Sequence, residues 1–303
     1  MKIWILDKEK NQNVYWTQRI IEEGLKRKMD IKFVAIEDIE LVIDAYSEEK
    51  LFIKNEKTSL PDVVIPRVDS SYQMTSIMDF MEHAWVYVIN ENQARLLAND
   101  KFLSLQKLAA NRLPVPKTIL LKWIPNIDFI EKQLNYPIIL KKLDWKAWKW
   151  IIKVQNSWEL EDILEMMEES LSKLNTYLLL QEYIWEKAWV DLRIFLVWWR
   201  VIASMLRKWK EWDFKANFSW WGSVYNHEVN EKEEIISIEA ANLVWLDIAW
   251  VDLLFDKDNW YRICEINAAP GFKWLEEATW LNIAKEIINY IETRYFYKIK
   301  KLK

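Results

Sequence analysis

Val251-Asp252-Leu253-Leu254-Phe255 is followed by Tyr261-Arg262-Ile263-Cys264-Glu265-Ile266-Asn267 and then by Ala268-Ala269-Pro270-Gly271. The first two runs are apolar and predict two neighbouring strands. Side chains two residues apart lie on one face of a strand, so Glu265 and Asn267 are expected together. Cys264 and Ile266 are expected on the opposite face. A carboxylate in so apolar a strand needs a partner, because burying an unpaired charge is costly.

Two interpretations of these polar side chains follow from the residues alone. Asp252, Glu265 and Asn267 carry the hard oxygen donors that Mg²⁺ prefers when it is also bound to substrate phosphates. Alternatively, the carboxylates are structural and pair with arginine or lysine. The strand pattern alone leaves both interpretations open.

The first ~90 residues alternate short strands with amphipathic helices, which predicts a small doubly wound domain. Its expected strands are 2–6, 31–36, 51–54, 63–66 and 86–89, and its expected helices are 16–28 and 71–83. The first strand-to-helix turn, Asp7-Lys8-Glu9-Lys10-Asn11, lacks the glycine fingerprint of a dinucleotide site. One helix over 92–111 is expected to lead onward from this domain.

Two further segments have residue types suited to a nucleotide. A strand ending in Lys141-Lys142 precedes a basic loop over 144–150, and only one of these lysines can face a ligand. Leu180-Gln181-Glu182-Tyr183 ends a second apolar strand, and Asp191-Leu192-Arg193 follows it. Backbone groups near Glu182 could bind a purine and Asp191 a ribose. Solvated lysines, a strand end and an Asp–Arg pair are the structural alternatives.

Composition narrows the class of protein. The chain has 303 residues, 42 Lys and Arg against 46 Asp and Glu, and a single cysteine. Balanced charge argues against nucleic acid as the main partner. A lone cysteine fits a reducing compartment, and no apolar run reaches the roughly 18–20 residues of a membrane span. We therefore expect a cytoplasmic protein.

Tryptophan and glycine occur in unusual numbers, 21 Trp against 3 Gly, whereas glycine averages about 7% of residues. Several tryptophans stand where turns are expected, for example Trp198-Trp199 between two β-prone runs. We hypothesise that UGA codons read as glycine in the source organism are translated here as tryptophan. A protein genuinely rich in tryptophan is the alternative.

Taken together, these segments resemble the RimK-type ATP-grasp ligases over nearly the whole chain. The most specific match is Glu265-Ile266-Asn267-Ala268-Ala269-Pro270-Gly271. The other matching segments are 64–67, 99–101, Lys141 with its loop, 181–183, 191–193, 211–217 and 250–252. The family's glycines fall on Trp145, Trp148, Trp150, Trp212, Trp221 and Trp250.

The resemblance implies an ATP-grasp fold of mixed α/β and α+β class. It comprises an N-terminal doubly wound domain (1–95), a small α+β subdomain (96–185) and a C-terminal α+β subdomain (186–303). The resemblance also implies roles for single residues. Lys101 and Lys141 would contact the phosphates of ATP, Glu182 and Tyr183 the edge of adenine, and Asp191 the ribose. Lys215 and Asn217 would line the nucleotide region, and Arg207 would help to neutralise the reacting phosphates. Asp252, Glu265 and Asn267 would hold two Mg²⁺ ions.

The implied reaction is ATP-dependent ligation of a carboxylate to an amine through an acyl-phosphate. Charge neutralisation and positioning dominate such phosphoryl transfer, so no covalent nucleophile is needed. The expected cofactors are ATP and two Mg²⁺ ions, with Mn²⁺ as the alternative metal. The expected partners are glutamate and a protein or peptide carboxyl end, and a ribosomal protein is one candidate acceptor. A second copy of the chain, in a homo-oligomer, is a further candidate partner. A carrier protein, a small-molecule acceptor and nucleotide binding without turnover are the alternatives.

Overall fold

The computed structural model describes residues 1–45, 50–67, 71–122, 126–143, 151–174, 177–184, 186–187, 190–208, 223–257 and 260–302. Among these residues, no helix is long and apolar enough to cross a membrane. The strands of this part of the chain form four sheets, of four, four, five and three strands.

The N-terminal region is a doubly wound α/β unit, as predicted. Its elements are β1 (Lys2–Asp7), α1 (Tyr15–Lys26), β2 (Asp30–Ala35), β3 (Ile39–Val42), β4 (Lys50–Ile53), β5 (Glu56–Lys57), β6 (Val63–Pro66), α2 (Tyr72–His83) and β7 (Tyr87–Val88). Strands β2, β1, β6 and β7 pair in that order and all in parallel. The predicted strand at 51–54 instead joins β3 and β5 in a separate antiparallel sheet.

The connecting segment differs from the prediction of a single helix over 92–111. It forms two helices, α3 (Asn92–Asn99) and α4 (Lys101–Ala110). Between them, the backbone of Asp100 is extended, and its carboxylate accepts hydrogen bonds from the backbone N–H groups of Phe102 at 3.0 Å and Leu103 at 2.9 Å. Asp100 is therefore an N-cap that starts a new helix, and Lys101 occupies its first turn.

The middle region is an α+β unit. Its elements are β8 (Thr118–Leu121), α5 (Ile127–Gln133), β9 (Ile138–Leu143), β10 (Ile151–Val154), α6 (Ser157–Leu174) and β11 (Tyr177–Glu182). The strands form an antiparallel sheet in the order β10, β9, β11, β8. Ile138 and Leu140 of β9 are buried in the core under α5 and α6. The alternation of the strand therefore turns Lys141 to the other face of the sheet.

The C-terminal region is built on a five-stranded antiparallel sheet. Its elements are β12 (Val190–Val197), β13 (Arg200–Lys208), β14 (Ser223–Asn226), α7 (Glu231–Leu243), β15 (Ile248–Asp256), β16 (Trp260–Asn267), α8 (Lys273–Thr279) and α9 (Ile283–Leu302). The strand order is β14, β13, β12, β15, β16. α7 begins with a capping box in which the Asn230 and Glu233 side chains each bind the other's backbone N–H.

The two faces of this sheet differ, and that difference creates the site. On one face, Leu192 and Ile194 of β12 pack in an apolar core that includes residues of α3, α4 and α7. On the other face, Phe195 and Val197 join a core shared with β1, β6 and α9. The same face of β12 continues with Arg193 and Asp191 instead of apolar residues. The site therefore lies where the apolar part of this face ends.

Five tryptophans adopt the left-handed backbone conformation that favours glycine. Trp198 and Trp199 form the two-residue turn between β12 and β13, with φ of 43° and 60°. Positive φ at both central residues is the signature of a type I′ hairpin turn, which usually contains Asn-Gly or Gly-Gly. The expected tight turn at 198–199 is present.

The other three of these tryptophans follow helices. Trp85, Trp245 and Trp280 have φ of 61°, 59° and 59°. Trp280 directly follows α8, whereas Trp85 and Trp245 lie two residues after the last residues of α2 and α7. After α2, the N–H of Trp85 bonds the carbonyl of Glu82, and the N–H of the next residue bonds that of Met81. This is the Schellman arrangement, whose left-handed residue is usually glycine. The backbone at these positions therefore agrees with the glycine hypothesis.

Candidate active site

The pairing of β15 with β16 brings the predicted metal ligands together. Asp252 of β15 lies directly opposite Glu265 of β16, and Trp250 lies opposite Asn267. The amide nitrogen of Asn267 donates a hydrogen bond to Oε1 of Glu265 at 2.9 Å. Asp252 is 4% and Glu265 9% exposed, so two carboxylates are buried side by side. The structure thus places the three residues predicted to bind metal in one cluster.

A β-bulge corrects the predicted orientation of Cys264. The register shifts after Asp252, since Leu253 pairs with Ile263, so Cys264 is the extra residue. Both Ile263 and Ile266 are buried in the core beneath the sheet, and Cys264 is only partly exposed and lies outside that core. The side chains of β16 therefore do not alternate strictly between the two faces here, because a bulge adds one residue and changes the direction of neighbouring side chains.

Arg193 is a central residue of the site that the sequence analysis did not assign. Its Nε donates to Oδ1 of Asp252 at 2.7 Å, and its Nη2 donates to Oδ2. The same Nη2 lies 3.9 Å from Oε1 of Glu265. The two-residue spacing between Asp191 and Arg193, which puts both side chains on one face of the strand, would have indicated this residue. Arg193 therefore binds Asp252 in a bidentate contact, which is stronger than a single ion pair, and lies within ion-pair distance of Glu265.

Arg207 and Asp191 form a second ion pair in the same cluster. The pairing of β12 with β13 places them opposite each other, and Arg207 donates to both Asp191 oxygens, at 2.7 and 2.6 Å. Its Nη2 also lies 3.1 Å from Oδ2 of Asp252. In this structure Asp191 pairs with an arginine, Arg207, which is the structural alternative to a ribose contact. Binding of ribose by Asp191 and of the reacting phosphates by Arg207 remain predictions.

The environment of this cluster shifts the pKa values of Glu265 and Asp252 in opposite directions. Burial raises the pKa of Glu265, and the neighbouring charge of Asp252 raises it further. Burial alone would also raise the pKa of Asp252, but the charges of Arg193 and Arg207 outweigh burial and hold that pKa below its usual value. Asp252 is therefore a stable anion, whereas Glu265 is the carboxylate whose negative charge is destabilised.

The two predicted phosphate-binding lysines lie near this cluster. Burial lowers the pKa of Lys101, and the charge of Glu265 opposes that shift while the charge of Lys141 adds to it. Nζ of Lys141 donates to Oε1 of Gln181 at 2.7 Å, and Gln181 in turn donates to Oγ1 of Thr118 at 2.9 Å. Lys101 is therefore close enough to Glu265 for their charges to interact, and Lys141 lies near Lys101.

Glu182 and Tyr183 line a separate and larger cavity of about 1020 Å³. Oε2 of Glu182 accepts a hydrogen bond from the backbone N–H of Lys117 at 3.2 Å, and Nζ of Lys153 lies 4.2 Å from the centre of the Tyr183 ring. Aromatic and cationic side chains share the lining, among them Tyr136, Trp260, Arg112 and Arg262. The volume and the aromatic walls suit a heterocyclic ligand.

A smaller cavity of about 250 Å³ borders the acidic cluster. Its lining includes Arg193, Arg207, Glu265, Asn267 and the loop at 269–271. Trp250 also borders it and is buried, with its Nε1 donating to the carbonyl of Gly271 at 2.9 Å. The Trp250 backbone has no positive φ, so it supplies no argument for glycine there.

Several residues of the prediction lie outside the described part of the chain. These are Lys215 and Asn217, together with the tryptophans at 145, 148, 150, 212 and 221. Their proposed contacts with nucleotide and phosphate remain predictions.

Comparison with known proteins assigns the family. Residues 98–291 match the model of the RimK-like ATP-grasp domain, and residues 1–94 match that of the RimK PreATP-grasp domain. A protein of Marinobacter nauticus named "Probable alpha-L-glutamate ligase" is 29% identical over 298 residues, covering 97% of this chain and 96% of the relative. A protein of the same name from Legionella pneumophila strain Corby is 31% identical over 236 residues, covering 77% of this chain and 76% of the relative.

The chain belongs to the RimK-like ATP-grasp family. It is an ATP-dependent carboxylate–amine ligase that forms a C–N bond, as the sequence predicted. The ATP-grasp ligase PsnB complexed with minimal precursor has the same fold, with a TM-score of 0.74 at 17% identity and coverage of 97% of this chain and 98% of PsnB. So has D-alanine--D-alanine ligase from Bacillus anthracis complexed with ATP, with a TM-score of 0.72 at 16% identity and full coverage of both chains.

The residues of this RimK-like ligase fit a magnesium ion. Asp252 and Glu265 supply carboxylate oxygens, and the hydrogen bond between Asn267 and Glu265 uses the amide nitrogen and not the amide oxygen. In the described part of the chain, no three His, Cys, Asp or Glu side chains are placed to hold a metal ion. The donor set here is two carboxylates and one amide, which suits Mg²⁺ bound together with substrate phosphates. A cation would also relieve the repulsion that raises the Glu265 pKa.

Metal binding by this RimK-like ligase should depend on pH. As pH falls through the raised pKa of Glu265, a proton competes with the cation, so the apparent affinity for Mg²⁺ should decrease. Asp252 stays ionised over that range, because its pKa is lowered. Calorimetric titration with Mg²⁺ between pH about 5 and 8 should show this loss of affinity. A Glu265→Gln variant should bind weakly with little pH dependence, and an equally steep profile in the variant would contradict the assignment.

Proposed function

We propose that this chain uses ATP to activate the carboxyl end of a protein or peptide and joins it to the amine of glutamate. The observation that carries the proposal is the buried cluster of Arg193, Asp252, Glu265 and Asn267 beside the 250 Å³ cavity. Its residues suit a metal-bound triphosphate at one end and an anionic substrate at the other. The relatives named as probable glutamate ligases support glutamate as the amino acid.

In the proposed mechanism, an oxygen of the acceptor carboxylate attacks the γ-phosphorus of ATP and ADP leaves. The amine of glutamate then attacks the carbonyl carbon of the acyl-phosphate, inorganic phosphate leaves, and the amine loses a proton. Two Mg²⁺ ions, with Mn²⁺ as a substitute, would neutralise phosphate charge when bound. Asp252, Glu265 and Asn267 are the residues that would hold these ions. Arg207 orients the transferred phosphoryl group, and Lys101 and Lys141 bind the other phosphates.

The larger cavity supports placing adenine next to Glu182 and Tyr183. Nucleotides commonly bind in clefts between subdomains, and this cavity is lined by the middle region and by the hairpin of β15 and β16. Asp191 would then exchange Arg207 for the ribose hydroxyls, while Lys215 and Asn217 complete the nucleotide site. A ribosomal protein is the acceptor that we would test first, and a carrier protein or small molecule is the alternative.

Mass spectrometry of acceptor peptides tests the acceptor directly. Peptides with the carboxyl ends of ribosomal proteins, incubated with ATP, Mg²⁺ and glutamate, should gain the mass of one or more glutamyl residues. The same peptides with amidated ends should gain nothing, because they have no C-terminal carboxylate to phosphorylate. Modification of amidated peptides, or modification confined to carrier proteins or small molecules, would contradict the proposed acceptor class.

A further inference from the structure

Arg67 lies at the carboxyl ends of the parallel strands in the N-terminal domain. It directly follows β6, and its backbone N–H donates to the carbonyl of Leu6 in β1 at 2.8 Å. Ligands of doubly wound domains bind at this edge of the sheet. β1 ends at the same edge with the buried Asp7, which accepts hydrogen bonds from the backbone of Lys8 and the side chain of Asn11.

The Arg67 guanidinium has little to balance its charge. Its Nη2 donates to the carbonyl of Pro270 at 2.7 Å, and its centre lies 5.8 Å from the ring of Trp16. Its Nε is buried and has no hydrogen-bond partner, and among the described residues no carboxylate forms a salt bridge with it. Burial lowers its pKa to about 10, which leaves the group cationic at neutral pH. A buried guanidinium with an N–H donor that has no hydrogen-bond partner is well suited to bind an incoming anion.

The position of Arg67 connects it to the candidate active site. Pro270 and Gly271, which border the 250 Å³ cavity, lie on the loop that Arg67 contacts. The two arginines of the cavity itself, Arg193 and Arg207, already bind Asp252 and Asp191. Arg67 is therefore a cation beside this loop that has no salt bridge among the described residues, and the charge of Asp7 offsets its own only in part.

We propose that Arg67 binds the α-carboxylate of the incoming amino acid and so holds its amine toward the acyl-phosphate. This inference rests on the proposed ligase function. The reacting carboxylate and the phosphates belong beside Arg193, Arg207 and the metal ligands, where the opposing charges are placed. The α-carboxylate of the amine donor does not react, so it must be held apart from the acyl-phosphate, and Arg67 contacts the loop at Pro270 that borders the cavity.

Hydroxylamine separates this role from the first half of the reaction. It attacks an acyl-phosphate without needing an amino-acid site and gives a hydroxamate. In Arg67→Gln, we expect the KM for glutamate to rise about 10- to 100-fold, because a charged hydrogen bond is lost, while hydroxamate formation stays within about twofold of wild type. The acceptor probe is a synthetic peptide that ends in glutamate with a free carboxyl group.

The glutamate α-amide gives a second readout. The wild type should discriminate strongly against it, and Arg67→Gln should discriminate far less, because the difference between the two donors lies at the group that Arg67 binds. Arg67→Lys keeps the charge without the planar fork and should give an intermediate KM. Arg200→Gln is the matched control, since Arg200 is 69% exposed and pairs with Glu286 outside the site, and it should change neither value.

Two outcomes would overturn the proposal: an unchanged KM for glutamate, or a parallel fall in hydroxamate formation, which would place Arg67 with the acceptor or with the loop. If the wild type forms no hydroxamate with any acceptor, the ligase proposal fails instead. Calorimetry with glutamate alone then decides the role of Arg67. Weaker binding to Arg67→Gln and Arg67→Lys supports the carboxylate site, and equal binding overturns it.

Discussion

Replacing Glu265 with glutamine should reduce ATP-dependent ligation by roughly 100-fold or more, because in the proposed mechanism the change removes a charged metal ligand where phosphate charge is neutralised. Glu265 is the cleanest test of the metal cluster. It is buried opposite Asp252, and its partners are the amide of Asn267 and a contact of 3.9 Å to Arg193. Ligation measured at saturating ATP and Mg²⁺, together with the Mg²⁺ concentration that gives half the rate, checks the expectation.

Folding must be separated from catalysis in that experiment. Glutamine keeps the shape of the side chain and removes a charge that burial disfavours, so Glu265→Gln should unfold at or above the wild-type temperature. Asp252→Asn would be less informative, because it would leave Arg193 and Arg207 buried without their shared anion. Glu277→Gln, on the exposed part of α8, is the control and should retain full activity. Near-normal turnover in Glu265→Gln would remove the metal assignment.

Replacing five tryptophans with glycine should stabilise the fold by about 3–5 kcal/mol. The left-handed conformation costs a non-glycine residue about 1–2 kcal/mol, and the greater freedom of unfolded glycine offsets about half of the gain. The five positions are Trp85, Trp198, Trp199, Trp245 and Trp280, each with φ between 43° and 61°. Urea unfolding of the combined variant measures the change in the free energy of unfolding.

Single variants locate the effect. Trp85 and Trp280 are 78% and 91% exposed, so glycine there loses little packing and should gain about 1 kcal/mol. Trp158 is also 78% exposed but lies in the first turn of α6, so Trp158→Gly should destabilise by about 0.5–1 kcal/mol. Trp198 stacks on Trp199 and lies under Arg294, which reduces the gain at the hairpin. If Trp85→Gly and Trp158→Gly changed the free energy of unfolding in the same direction, the argument from backbone conformation would be wrong.

The gene tests the origin of these residues independently. UGA codons at the five positions would agree with the hypothesis that glycine is the native residue. UGG codons there would reject it and leave the left-handed tryptophans as genuine strain. The stability prediction holds in either case, since it depends only on φ and exposure.

The sequence was sufficient for the parts of the fold that depend on periodicity. Alternating strands and helices predicted the doubly wound N-terminal domain, and the apolar runs at 248–267 predicted the two strands whose pairing aligns Asp252 with Glu265. Periodicity is local and reports one element at a time. For that reason the break at Asp100 was missed, although an aspartate before a helical run is a common N-cap.

Features that depend on contacts between distant strands were not predictable in the same way. The bulge at Cys264 appears only when β16 pairs with β15, so strict alternation gave the wrong face for this residue. Arg193 acquires its role because β12 lies beside β15 and brings its guanidinium onto Asp252, 59 residues away. Asp191 illustrates the remaining choice, since the same carboxylate suits an arginine in this structure and a ribose in the proposed complex.

The fate of one oxygen atom shows whether the enzyme forms an acyl-phosphate. The acceptor carboxylate is labelled with oxygen-18, and the reaction is run with ATP, Mg²⁺ and glutamate. An acyl-phosphate intermediate requires that the carboxylate oxygen which attacks phosphorus leaves with it, so the released inorganic phosphate should carry one labelled oxygen for each amide bond formed. Amide formation with unlabelled phosphate, or with the label in AMP, would contradict the account.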